Sequence, residues 1–134
     1  MISFLEGQAW NPIWETSAPG RVFVDLTGCR DLPCVLRRLG GTLRGSDSPI
    51  IKGNSLDAFI DVLGDWFIDI WGQSAEVYVG GASAIEKLGP RVLANITECF
   101  HDAFESASRE AIRVGSECSY LEAKKNITIW ICFN

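Results

Sequence analysis

Apolar and polar positions along this chain alternate between two periods, and the alternation predicts the architecture. Arg21-Val22-Phe23-Val24-Asp25-Leu26 is β-rich and ends at the turn signal Thr27-Gly28, so it reads as a strand. Leu32, Val35, Leu36 and Leu39 then fall at helical spacing. Asp31 is placed to cap that helix, and Pro33 fits its first turn, where a missing N–H is no loss. Gly40-Gly41 are expected to stop it. Residues 42–53, with their glycines, serines and Pro49, read as a connecting loop. A second helix runs from Ser55, its N-cap, to about residue 68, with Leu56, Phe59, Ile60, Leu63 and Phe67 on one apolar face.

The pattern then repeats. Ala75-Glu76-Val77-Tyr78-Val79 is a short strand before Gly80-Gly81, and Ala82 to Leu88 makes a short helix broken by Gly89-Pro90. Pro90 opens a longer helix reaching about residue 113, whose inner face carries Val92, Leu93, Ile96, Cys99, Phe100, Ala103, Phe104 and Ala107. Residues 115–125 read as a polar connection. Asn126 to Phe133 is nearly continuous in β-branched and aromatic residues, as in a strand buried on both faces. Residues 1–20, with Trp10, Pro12, Trp14, Pro19 and Gly20, show no clear period and read as an irregular arm with room for one short strand. Residues 21–134 form the domain. Strands alternating with helices imply an α/β fold with a three-stranded, mainly parallel sheet packed with helices.

The polar side of the second helix is unusual. Asp57, Asp61, Asp65 and Asp69 follow one another at spacing four. Carboxylates at that spacing lie above one another, and each like-charged pair costs about 0.2–0.5 kcal/mol. Asp57 gains something back from the helix dipole, being in the first turn. Asp61 and Asp65 have no such compensation. A ladder that weakens its own helix suggests a cationic partner; the plainer alternative is a solvated acidic face.

Composition supports a folded, acidic protein. The 134 residues are one domain's worth, 47% hydrophobic and 22% charged, with a net charge of −5 and a pI near 4.8. The twelve basic residues are scattered, which argues against direct nucleic-acid binding, since that needs a cationic footprint. No stretch reaches the ~18 consecutive apolar residues of a membrane span. Met1-Ile2-Ser3-Phe4-Leu5-Glu6 lacks the basic region and apolar run of a signal peptide, so a cytoplasmic location is expected. The five cysteines, at 29, 34, 99, 118 and 132, are then expected to be free thiols packed as small hydrophobes, with Cys29 and Cys34 able to pair on oxidation.

Three segments, in this order, resemble the barstar family of intracellular ribonuclease inhibitors. They are Val22-Phe23-Val24-Asp25 with the helix opened by Asp31-Leu32, then Gly53-x-x-Leu56-Asp57-Ala58-x-x-Asp61-x-Leu63, and finally Ile127-Thr128-Ile129. The resemblance implies an inhibitor that plugs a nuclease active site with an acidic loop and helix. Asp61 falls on the family's main inhibitory aspartate, which fills the phosphate site, and Asp57 on a second one, a turn earlier. Gly53 matches the glycine of the approach loop, the asparagine beside it is shifted, with Asn54 preceding Ser55, and Ile60 stands where the family has an interface tryptophan. Phe100-x-Asp102-Ala103 resembles a segment with a peripheral acidic contact, which makes Asp102 a third candidate. Trp66 matches a structural tryptophan just beyond the family's inhibitory helix. The family's aromatics before the glycine are replaced by Ile50, Ile51 and Lys52, which implies a different nuclease as partner. The resemblance further implies an immunity protein without cofactor or turnover, monomeric when free and forming a 1:1 complex with a basic ribonuclease toxin.

Other chemistry is weaker in this sequence. Asp57 and Asp61 could contribute to a cation site, but calcium wants six to eight oxygens and no EF-hand pattern is present. One histidine and no paired cysteines at ligand spacing argue against zinc. Cys99 and His101 are two apart on a helix and do not face each other, so no catalytic dyad results, and an enzyme is not expected. The remaining alternative is an interaction or oligomerisation module using the acidic face or Trp10, Trp14 or Trp71.

Overall fold

The alternation of buried and half-buried residues along the strands shows which sheet face carries the core. Val24, Val77, Val79, Ile127, Ile129 and Ile131 point to one face and are all buried. The computed structural model describes residues 20–44 and 55–133, and the backbone of Ile2–Leu5. Its elements in chain order are β1 (Ile2–Leu5), β2 (Arg21–Asp25), α1 (Leu32–Arg44), α2 (Leu56–Asp69), β3 (Ala75–Gly80), α3 (Ser83–Glu86), α4 (Pro90–Arg113), α5 (Tyr120–Asn126) and β4 (Ile127–Cys132). The fold is α/β. Its parallel sheet has the order β1-β4-β3-β2, the three expected strands with β1 added at one edge.

The steps from β2 to β3 and from β3 to β4 go in the same direction across the sheet. Right-handed crossovers therefore place α1 to α5 on one face. There Val35, Leu36 and Leu39 of α1, Phe59, Leu63 and Phe67 of α2, and Ile96, Phe100 and Phe104 of α4 join the buried valines and isoleucines in one core. On the opposite face the register aligns Phe23, Tyr78 and Trp130. Their rings stack, Phe23 on Tyr78 at 5.4 Å and Tyr78 on Trp130 at 6.4 Å. The prediction that β4 is buried on both faces therefore needs correction. Ile127, Ile129 and Ile131 are buried, whereas on the other face Thr128 and Trp130 are only half-buried and Cys132, at the strand's end, is buried.

Two helices differ from expectation for physical reasons. The cap of α1 forms as predicted, with the Cys34 N–H donating to Asp31 Oδ1 at 2.9 Å. The helix does not stop at Gly40-Gly41 but runs to Arg44. Each glycine costs about 1 kcal/mol inside a helix, but Leu43, four residues beyond Leu39, packs on the core, and Arg44 pairs with the Asp69 carboxylate of α2. Tertiary contact outweighs local preference. Most of the expected polar connection, together with Asn126, the expected first residue of the last strand, forms α5. Ser119 caps it, accepting from the Glu122 N–H at 3.2 Å, and Tyr120 packs its ring on Phe104.

The corner after β3 makes one glycine obligatory. Gly81 has φ +68°, and a Cβ there would lie 2.7 Å from the Thr27 amide nitrogen and 2.8 Å from Thr27 Oγ1. Gly81→Ala combines a left-handed backbone penalty of about 1–2 kcal/mol with an overpacking cost of about 1–3 kcal/mol. Chemical denaturation should show a loss of roughly 2–5 kcal/mol. Among the described residues, no helix is long and apolar enough to cross a membrane.

Candidate partner-binding face

The acidic ladder lies on a helix held firmly from behind. Ser55 is the N-cap, and its hydroxyl accepts from the Ala58 N–H at 3.3 Å. Phe59, Val62, Leu63, Trp66 and Phe67 are buried. Phe59 meets Phe100 edge-to-face at 5.9 Å, and Phe67 meets Phe104 at 5.4 Å. These contacts advance along α2 and α4 in the same sense, so the two helices run roughly parallel. Trp66 lies inside α2 rather than beyond it, tilted against Phe67 at 5.0 Å and 6% exposed. Its role is packing.

Asp57, Asp61, Asp65 and Asp69 are all exposed on the outer side of α2. Asp69, the last helical residue, is neutralised by Arg44. Among the described residues no cation pairs with Asp57, Asp61 or Asp65. Ile60 is half-buried and packs against the core, so it supports the face more than it projects from it. Gly53 and Asn54 lie outside the described residues, as do Trp10 and Trp14 of the arm.

The α4 helix adds to the same acidic region. Asp102 is exposed, as is Glu98 one turn before it. The Cys99 thiol between them is 3% exposed. Burial pushes it up to about 11, and the carboxylates of Asp102, Glu98 and Asp57 push in the same direction. One buried sulfur thus feels acids from two helices, which places Asp57 and Asp102 in a common field. Sequence reasoning misses Glu98, although its spacing of four from Asp102 repeats the pattern on α2. His101 is exposed while Cys99 is buried, so the two face different surroundings.

Trp71, a candidate for self-association, is engaged internally. Its Nε1 donates to the Cys118 carbonyl at 3.1 Å, and its ring tilts against Phe104 at 5.3 Å. Among the described residues, no three or more His, Cys, Asp and Glu side chains gather as a cation site. No protein-family model matches the chain, and no curated protein and no solved structure matches it.

Raised thiol and phenol values predict alkaline sensitivity. Cys29 is pushed up to about 12 by burial and by its neighbour Cys34, and Tyr78 to about 12 by burial and its bond to Glu76. With Cys99, these groups hold their protons more tightly folded than unfolded. Stability is therefore fully present below the unfolded thiol value near 9.0 and falls as pH rises through 11–12. Urea midpoints should drop from about pH 8 to about pH 10.5, and Cys99→Ala should flatten part of the slope.

Proposed function

We propose that this protein is a barstar-like inhibitor that binds and blocks the active site of a basic ribonuclease toxin. The observation that carries the reading is the exposed pair Asp57 and Asp61, without a cation partner among the described residues, one turn apart on a capped helix whose other side is locked into the core. A ribonuclease holds an anionic backbone, so its cleft presents Arg, Lys and His. A carboxylate on a rigid helix can replace a phosphate there through charge-assisted, sometimes bidentate hydrogen bonds. Asp61 takes that position, Asp57 meets a second cation, and Asp102 with Glu98 extends the negative rim. Burial behind the helix means little ordering entropy is lost on binding. The protein acts in the cytoplasm as a monomer in a 1:1 complex, with Gly53 and Asn54 in the approach to the cleft.

The test is capture from the native cell with the intact chain as bait. A basic ribonuclease should co-purify, its activity suppressed in the complex and recovered on dissociation. A captured partner without nuclease activity would remove this reading and favour a non-inhibitory interaction module. Salt supplies a second check. With a Debye length of about 10 Å at 0.1 M, encounter between this acidic face and a basic cleft is strongly screened. The association rate should fall by at least tenfold between about 0.02 and 0.5 M salt, while dissociation changes less.

A further inference from the structure

At the corner between β2 and α1, two cysteines are held sulfur to sulfur. The Cys29 N–H donates to the Leu26 carbonyl at 3.0 Å, which fixes the turn after β2. The Cys34 N–H donates to Asp31 Oδ1, which fixes the first turn of α1. Arg38 ties the corner together, donating to the carbonyls of Asp25 and Thr27 at 3.0 and 2.6 Å. The result is Cys29 Sγ 2.7 Å from Cys34 Sγ, both as free thiols. Bond formation needs less than about 1 Å of approach, to the ~2.0 Å of a disulfide. A cavity of about 490 Å³ adjoins the pair on the Cys29 side, lined by Thr27, Gly28, Cys29, Arg30, Ser83 and Lys87 among others and not by Cys34. Its two cations stand out in a chain of net charge −5.

We propose that Cys29 and Cys34 form an oxidisable dithiol site that exchanges with small anionic disulfides, which reach Cys34 from solvent while Arg30 and Lys87 of the adjoining cavity attract their carboxylates. Cys34 is half-buried and Cys29 is 6% exposed, so Cys34 reacts first. Its thiol loses a proton to solvent and the thiolate attacks one sulfur of the small disulfide. That S–S bond breaks, one small thiolate leaves and takes up a proton, and a mixed disulfide remains on Cys34. Cys29 then loses its proton, attacks Cys34 Sγ and expels the second small thiolate. Two protein thiols are oxidised to one disulfide, and one small disulfide is reduced to two thiols. The high value of the buried Cys29 thiol fits this order, because it keeps Cys29 protonated while both sulfurs are reduced. Sulfur contact makes the second step effectively intramolecular.

Oxidised glutathione added to the intact chain tests this, read by mass spectrometry and peptide mapping. The expected product has lost two hydrogens, retains no glutathione and carries a Cys29–Cys34 cross-link, with buried Cys99 and Cys132 unreacted. A chain that stays reduced, or that keeps glutathione on Cys34 without cross-linking, overturns the proposal. Cys29→Ala should trap a stable glutathione adduct on Cys34, and its absence from the folded variant would also overturn it. Should that variant not fold, the map of the unaltered chain still decides. Lys87→Ala should slow reaction with oxidised glutathione a few-fold relative to cationic cystamine. Equal slowing of both would refute the anionic preference.

Discussion

On the proposed inhibitor reading, Asp61→Lys should weaken binding of the ribonuclease at least ~100-fold while the free protein becomes no less stable. Asp61 is exposed and makes no core contact, so its replacement creates no cavity. A lysine at this position stands four residues from both Asp57 and Asp65. It turns two repulsive pairs into attractive ones, at about 0.2–0.5 kcal/mol each. In the proposed complex the same change would set an ammonium against cations built to hold phosphate. Removing one partner of a desolvated charge pair costs about 3–5 kcal/mol, and reversal adds repulsion, so affinity should fall by at least ~100-fold. Calorimetric binding and thermal unfolding together check it, because the two quantities move in opposite directions. Binding within a few-fold of the unaltered chain would place the interface elsewhere. Asp65→Lys, one turn further, should change affinity far less.

Phe104→Ala gives the largest loss of stability. Phe104 is fully buried and lies where four aromatic rings meet. Its ring is 5.4 Å from Phe67, 5.3 Å from Trp71 and 5.2 Å from Tyr120. It therefore joins α4 to α2, to the turn after α2 and to α5. Truncating a buried phenylalanine costs about 3–5 kcal/mol, and the lost edge-to-face contacts place this site at the upper end. For a chain of this size Tm should fall by roughly 10–20 °C. Against a total stability of about 5–15 kcal/mol, that is a large share of what holds the fold together. A change below ~1 kcal/mol in denaturant unfolding would contradict the packing described.

The sequence reveals α2 well, and the position of β4 though not its uneven burial, because local and global signals agree there. Ser55 caps, the apolar stripe is regular, and the isoleucines of β4 alternate onto the core face. It misreads the end of α1, because the burial that carries the helix past two glycines belongs to Leu43 and cannot be seen locally. It misses α5, although Ser119 and Glu122 hold the spacing of a capping pair, because seven residues are too few for an apolar period. Of the candidate site, Asp57 and Asp61 are legible as a spacing. The joining of Asp57 with Glu98 and Asp102 is not, since it depends on how α2 lies against α4. The alignment of the Cys29 and Cys34 sulfurs likewise requires the turn geometry between β2 and α1, which residue spacing leaves open.

The strand order also has a consequence for how the chain is made. Among the described residues, β1 hydrogen-bonds to β4 alone, and Ile2 sits opposite Ile129. During synthesis β1 must wait for β4, which lies far along the chain from it, for roughly 6–25 s at ~5–20 residues per second. Until then β3 offers one unfilled edge, where β4 will sit, and β1 has no strand to join. The sheet of the described residues thus closes only once β4 has been made, and a chain stalled before Ile127 would display an open parallel edge to its surroundings.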